Sequence, residues 1–349
     1  MIPERRSATI PGRLAGLAGL AGRWPLAACA LLLAGAVEAE GVEVYGRAHF
    51  AVTHVNDGGD YSAHNLASNA GRLGVYGVHR VTPELEGVAR FEGEVALDTG
   101  DTRRRDVYAG FRGEWGLLRA GRYDTPAKRV ARRVDLFPDQ IGDSRNIIRN
   151  ETGDRGFDGR LKNGVGYRSP EIHPVIFEAV YSMETEEGDA VDGNDQSAVS
   201  ASLAYHGGSV YLAVAHEAFS AGDERKVSRA AASYDWRDLR VTLFYQKAEE
   251  PEDEAYGAGL RYRLSDELAV KAQHYVLDAD GSDDADAAMT AVGAEFQTAP
   301  ELRLYVNYAR LANEPGRELA PWREGSTLDR WGVQDETAWA LAVGAIFDF

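Results

Sequence analysis

The chain has little cysteine, no long apolar segment and no excess of positive charge. One cysteine, Cys29, stands among 349 residues, which excludes a disulfide framework and a multi-cysteine zinc or iron–sulfur site. The longest uninterrupted apolar run, Leu26–Val37, is shorter than the roughly 20 residues that a membrane-spanning helix needs, so a helical membrane protein is excluded. The net charge of −17 argues against a nucleic-acid partner, because phosphate binding requires a basic face.

The N-terminal segment predicts export. Four arginines precede the apolar stretch Pro25–Val37, and small residues follow it before Glu40. A basic region, an apolar region and a small-residue cleavage site are typical of a secretory signal, here residues 1–39, removed by cleavage after Ala39. Two alternatives are a lipoprotein acylation box at Cys29, which precedes most of the apolar run, and a twin-arginine signal at Arg5-Arg6.

From Val42 onwards the sequence alternates with period two. Leu239, Val241 and Leu243, for example, alternate with Arg240 and Thr242. This alternation is the signature of strands that bury one face and expose the other to water.

Short and long connectors take turns between these segments. Seven short turns and eight long polar loops separate sixteen strands; the first long loop is expected over Asn56–Asn69 and the longest over Asp124–Arg160. Alternating loop length with strands of about ten residues is typical of outer-membrane barrels, because lipid offers no hydrogen bonds to an open sheet. Sixteen strands enclose an aqueous channel, so the fold class predicts a pore. Residues 40–349 are expected to form one transmembrane barrel.

Six motifs, in this order and spacing, resemble the general diffusion porins of Gram-negative bacteria. They are Tyr45–Arg47, Arg72–Gly77, Val107–Phe111, Gly121–Pro126, Asn163–Pro170 and the terminal Phe349. The resemblance implies a trimeric, 16-stranded antiparallel outer-membrane barrel with short periplasmic turns, long extracellular loops and an inward-folded third loop. It also implies passive diffusion of small hydrophilic solutes and ions.

The third loop of that family corresponds here to residues 124–160. The run from Asp135 to Asp139 resembles the family's Pro-acidic motif, which implies that both carboxylates line the constriction and that Asp143 supports the loop. The resemblance also implies a facing row of basic residues on the barrel wall. These positions are Arg47, Arg72, Arg105 and Arg160.

Strand alternation places three of these arginines on the wet face. Arg105 instead shares its parity with Val107 and Phe111, so it reaches the lumen only through a bulge near Arg103–Asp106. The alternative interpretation is that all four are ordinary arginines on the wet face of strands.

The charge distribution predicts an acidic rim and a neutral to positive throat. Residues 124–162 contain nine basic and seven acidic residues, whereas the acidic loops Glu184–Asp195, Glu249–Glu254 and Asp278–Asp286 contribute sixteen negative charges. We therefore expect weak anion preference or little preference. No cofactor is expected, although clustered carboxylates could bind divalent cations that bridge to lipopolysaccharide.

Three other functions stay open at this point. One is a channel selective for an anion or small metabolite, the second an outer-membrane enzyme, and the third an adhesin or structural barrel. The chain contains neither H-E-x-x-H nor G-x-S-x-G, which disfavours the enzyme.

The expected partners are those of a barrel in the outer membrane. Besides small solutes, they are outer-membrane lipid, lipopolysaccharide and two further copies of the chain in a homotrimer. The small residues of Ala338–Ala345 are compatible with a flat trimer contact. Phe349 resembles the terminal signal that the barrel assembly machinery reads, or is simply an interfacial aromatic residue.

Overall fold

The structure, a computed structural model, describes residues 41–149, 157–171, 174–183, 197–220, 225–249, 252–279, 285–326 and 328–349. The predicted signal segment, residues 1–39, and the acidic segment Glu184–Asp195 lie outside the described residues.

Almost all regular structure is β-strand. The strands are β1 (Val42–Asn56), β2 (Ser62–Ser68), β3 (Arg72–Thr82), β4 (Leu85–Val95), β5 (Thr102–Gly113), β6 (Gly116–Asp124), β7 (Arg160–Arg168), β8 (Val175–Ser182), β9 (Ala198–Gly207), β10 (Val210–Phe219), β11 (Lys226–Trp236), β12 (Leu239–Glu249), β13 (Asp253–Arg263), β14 (Leu268–Ala279), β15 (Ala287–Ala299), β16 (Leu302–Asn313) and β17 (Thr337–Asp348).

Each strand pairs antiparallel with its neighbours, and the sheet closes where β17 pairs with β1. β2 and β3 form one wall strand in two pieces, because β1 pairs with β2 from Phe50 upwards and with β3 from Arg47 downwards. The wall therefore contains sixteen strands, and the predicted 16-stranded antiparallel barrel is confirmed. The expectation of a loop throughout Asn56–Asn69 is wrong, because β2 lies within it and continues the wall.

The two faces of the wall differ as the alternation predicts. Leu243 and Val343 are more than half exposed on the outside, whereas Phe244 and Ala342 are buried on the inside. An apolar outer band is what lipid requires of a membrane barrel.

Two short helices lie in the β6–β7 connection, α1 (Pro126–Val134) and α2 (Arg145–Ile148). Thr125 begins α1, since its Oγ1 accepts a hydrogen bond from the Lys128 backbone N–H at 3.2 Å and Pro126 occupies the first turn. In the part of the chain that the structure describes, no helix has the length and apolar character needed to cross a membrane.

The β6–β7 connection packs against small inward residues of the wall. α1 contributes Val130 and Val134 to a buried cluster with Ala213 and Ala231 of β10 and β11. Further along the loop, Phe137 and Ile141 join a second cluster, which contains Trp322 and the wall residues Ala291, Ala309, Ala338, Ala340 and Ala342.

The alanines of β17 therefore have a different role from the one the sequence suggested. Ala338, Ala340 and Ala342 are buried beneath the loops, and the outward face of β17 carries Leu341 and Val343 instead. Ala338, Ala340 and Ala342 therefore take no part in an outward contact surface, and the trimer contact stays a prediction.

Candidate functional site

Asp135 fixes the turn that follows α1. Its carboxylate accepts hydrogen bonds from the backbone N–H groups of Phe137 at 2.9 Å and Ser144 at 3.2 Å. Gln273 of β14 donates to the same carboxylate at 2.9 Å. Asp135 is buried, so it holds the loop together and against the wall.

Asp139 and Asp143 are both enclosed by arginine. Arg132 and Arg145 each donate to Asp139, the latter at 2.9 Å, and Arg145 also donates to Asp143 at 2.8 Å. The backbone N–H of Asp139 donates to Asp143 at 2.6 Å, which places the two carboxylates side by side. Burial raises the pKa of Asp139, but Arg132 and Arg145 outweigh it and hold that pKa well below its usual range.

Wall residues that the sequence analysis missed secure the loop tip. Lys271 Nζ donates to the Leu136 carbonyl at 2.8 Å and to Glu295 at 2.6 Å. Gln273 donates to the Gly142 carbonyl at 2.8 Å, and Asn307 donates to Gln140 at 2.6 Å. The signal in the sequence is a long polar side chain at an inward position among alanines.

A buried ion pair secures the returning end of the loop. Arg229 of β11 forms a bidentate pair with Asp158, and both side chains are almost completely buried. The same guanidinium donates to Gln246 at 2.8 Å and to the Ala127 carbonyl at 3.1 Å. It therefore joins both ends of the loop to one wall strand.

The four arginines expected on the wall divide into two groups. Arg47 and Arg72 are directly opposite each other on β1 and β3. Arg47 pairs with Asp348 at 2.5 Å, whereas Arg72 makes no ion pair with any residue that the structure describes. Arg160 lies instead at the base of the loop, where it pairs with Asp106 at 2.8 Å and Asp124 at 3.2 Å.

The pairing of β4 with β5 contains a bulge at Arg105. Phe91 is opposite Val107 but Gly93 is opposite Arg104, so β5 has one extra residue there. Arg105 and Asp106 are consequently both buried on the inside, and Arg105 pairs with Glu92 at 2.6 Å and Glu94 at 2.8 Å.

Around Asp139 and Glu178 the cations are more exposed to water than the carboxylates. The side chains of Arg132 and Asp139 are 27% and 6% exposed, and those of Arg129 and Glu178 are 33% and 5% exposed. The carboxylate is the more exposed partner in four other pairs: Arg47–Asp348, Arg105–Glu94, Arg160–Asp124 and Lys271–Glu295.

Two carboxylates are also outnumbered by cations. Glu178 accepts from Arg119, Arg129 and Arg168, at 2.5 to 3.2 Å. Glu295 pairs with Lys271 at 2.6 Å and lies 3.6 Å and 3.9 Å from Arg261 and Arg303. In these two clusters the guanidinium groups of Arg129, Arg261 and Arg303 are more exposed to water than the carboxylate that they surround.

Phe349 lies on the outer face at the seam between β1 and β17. Its backbone exchanges hydrogen bonds with Gly46, N–H to carbonyl at 3.1 and 2.7 Å, and its exposed ring stacks on Phe347 with ring centroids 5.7 Å apart. A Cβ on Gly46 would lie 2.3 Å from the Phe349 ring, so glycine there makes room for the terminal aromatic residue.

Comparison with known families decides the identity. Residues 26–316 match the Gram-negative porin family. The chain belongs to that family.

Solved structures share the fold of this porin. The anion-selective porin from Comamonas acidovorans is 20% identical with a TM-score of 0.76, over 88% of this chain and 99% of its own. OmpT of Vibrio cholerae in a trimer form is 17% identical with a TM-score of 0.67, over 88% and 99%. Salmonella typhi OmpF in complex with daunomycin is 14% identical with a TM-score of 0.65, over 88% and 97%. None of the curated proteins matches this porin.

Family and fold together give the function at a coarse level. This porin is a channel of the Gram-negative outer membrane.

Proposed function

We propose that this porin conducts small hydrophilic solutes and ions by passive diffusion, with a preference for anions set by its inner arginines. The constriction is the loop over residues 124–160, whose described parts pack on the inside of the wall. The observation that carries the proposal is the difference in exposure between cations and carboxylates, together with Arg72, which has no ion-pair partner among the described residues.

The physical basis is the short range of electrostatic interactions in salt water. The Debye length is about 8 Å at physiological ionic strength, so the exposed charges nearest the permeating ion dominate selectivity. Acidic residues at the rim, such as Glu249 and Asp278, attract cations to the entrance but act weakly on an ion at the constriction. The anion-selective neighbour from Comamonas acidovorans supports the same sign.

Reversal potentials under a salt gradient test the proposal. Purified porin in a planar bilayer with a tenfold KCl gradient should give a reversal potential with the sign expected of a channel that prefers chloride. Strong potassium selectivity would overturn the proposal, and absence of conductance steps would favour a structural or adhesin role.

Assembly and partners form a second part of the proposal. We propose a homotrimer in contact with lipopolysaccharide, and Phe349 as the residue that the barrel assembly machinery reads; the trimer form of the Vibrio cholerae neighbour supports the oligomer. Cross-linking in outer membranes tests the trimer, and Phe349→Ala should lower the amount of assembled barrel.

Catalysis and metal binding are not part of the proposed function. We propose that the purified porin hydrolyses neither phospholipid nor peptide. Among the residues that the structure describes, no group of three or more His, Cys, Asp or Glu could hold a metal ion. Cation bridging by the acidic loops therefore stays a prediction, and an unchanged melting temperature after chelation would contradict it.

A further inference from the structure

The last external connection, residues 314–336 between β16 and β17, packs directly on the β6–β7 loop. The Gly142 backbone N–H donates to the Pro321 carbonyl at 2.6 Å, and Asn146 Nδ2 donates to the same carbonyl at 3.1 Å. The Glu324 backbone N–H donates to Asn146 Oδ1 at 3.0 Å. Trp322 is completely buried at this contact, so the two loops share an apolar core as well as hydrogen bonds.

Glu324 is the charged centre of the contact. Its carboxylate accepts from Arg145 at 3.0 Å and from Arg149 at 2.6 Å, and its side chain is largely buried. Burial raises the pKa of Glu324, but the two guanidiniums hold it at about 2, so the group stays ionised at neutral pH. One carboxylate thus neutralises part of the positive charge on the outer side of the constriction loop.

The last loop is also attached to the wall independently of this contact. Arg330 donates to Asp57, just after β1, at 2.6 Å, and the Val333 N–H donates to the Asp57 carbonyl at 3.0 Å. Arg317 pairs with Asp253 of β13 at 3.1 Å. A loop fixed at these separate points is a rigid support for what it touches.

We propose that the last loop is a second part of the constriction, in which Glu324 positions Arg145 and Arg149 and reduces the attraction of the channel for anions. Resting on the proposed anion preference, this inference assigns a selectivity role to a residue outside the loop over 124–160. Removal of the Glu324 charge leaves the two guanidiniums with one carboxylate fewer, so anions entering from outside meet a more positive surface.

Neutralisation of Glu324 tests the role. Glu324→Gln keeps the size of the side chain and removes its charge. Relative to wild type, the chloride-to-potassium permeability ratio should rise at least about twofold in low salt, because loss of one negative charge near the passage lowers the energy of chloride and raises that of potassium. The matched control is Glu318→Gln, which removes the same charge from the same loop at an exposed site bonded to Gln334.

Two further results separate this role from a general loss of structure. Arg149→Gln combined with Glu324→Gln should return the permeability ratio towards wild type, because the exposed cation is removed with its partner. Heat-modifiable migration on gels identifies any variant that has not folded, and Glu324→Asp, which keeps the charge, should then retain wild-type selectivity.

The inference is overturned if the folded Glu324→Gln channel has the permeability ratio of Glu318→Gln. All ratios are compared with wild type. A wild-type channel without anion preference would therefore contradict the proposed function, while a shift caused by Glu324→Gln alone would still support the role of Glu324.

Discussion

The inward face of β9–β17 is rich in alanine, whereas that of β3–β8 carries arginine, tyrosine and glutamate. Ala213, Ala231 and Ala309 lie beneath the loops, while Arg72 and Arg105 lie on the other half. Small residues leave room for a packed loop, and long charged residues need water or an ion partner. The wall itself therefore determines which half of the lumen is filled and which half stays wet.

The largest difference between the two halves should lie in how much their ion pairs contribute to the free energy of unfolding. Asp158→Ala leaves Arg229 buried without its carboxylate, and we expect the free energy of unfolding to fall by about 3–5 kcal/mol. Glu86→Ala breaks the more exposed pair of β4 with Arg112 of β5 and should cost about 1 kcal/mol or less. Urea unfolding in detergent measures both. Equal losses would mean that the two halves do not differ in this way.

The close approach of the loop backbone to the wall at Gly142 should give the next largest effect. Gly142 has φ +81°, and a Cβ there would lie 2.4 Å from the Cβ of Ala291. Gly142→Ala should destabilise the protein by about 2–4 kcal/mol through left-handed strain and overpacking, and should change single-channel conductance. Gly159→Ala is the control in the same loop, because its Cβ would meet open space. If Gly142→Ala changed neither the stability nor the single-channel conductance, the loop would not be tightly packed there.

Substitution of Arg72 tests the role of the charged half of the wall, β3–β8. Arg72→Gln removes an inner cation without breaking an ion pair to a described residue, so the permeability ratio of chloride to potassium should fall about twofold at low salt with little change in stability. Arg237→Gln, in the turn between β11 and β12, makes the same charge change outside the wall strands. Equal ratios for the two variants would remove Arg72 from the selectivity mechanism.

Acid pH should produce the smallest effect, which is the loss of the stability that Glu324 contributes at the contact between the two loops. Because the pKa of Glu324 is lowered from 4.5 to about 2, its stabilising contribution is complete above about pH 4.5 and is lost as the pH falls through 2. The difference in melting temperature between wild type and Glu324→Gln should shrink as the pH falls from about 4.5 towards 2. A difference that stays constant down to pH 2 would contradict this assignment.

The sequence predicts the wall better than the loops. Alternation fixes which side chains face inwards, and the parity conflict at Arg105 alone points to the bulge that β5 contains. Strand faces are a local property with period two, so local sequence is sufficient to predict them.

The partners of the constriction loop depend instead on contacts between distant segments. Gln273 meets Asp135 across 138 positions of the chain, and Glu324 meets Arg149 across 175. The resemblance implied that Asp135 faces the passage, yet its carboxylate is used to hold a turn and the wall. Counting charges in the sequence also could not predict that arginines would be more exposed to water than Asp139 and Glu178, the carboxylates with which they pair.

The link between Asp57 and Arg330 has a consequence for biogenesis. It joins the segment just after the first strand to the segment just before the last, close to the seam where β1 meets β17. The final loop can reach this anchor only when the two ends of the sheet have come together. Closure of the barrel and completion of its constriction should therefore coincide during folding. An intermediate whose first and last strands have not yet paired would lack a complete constriction.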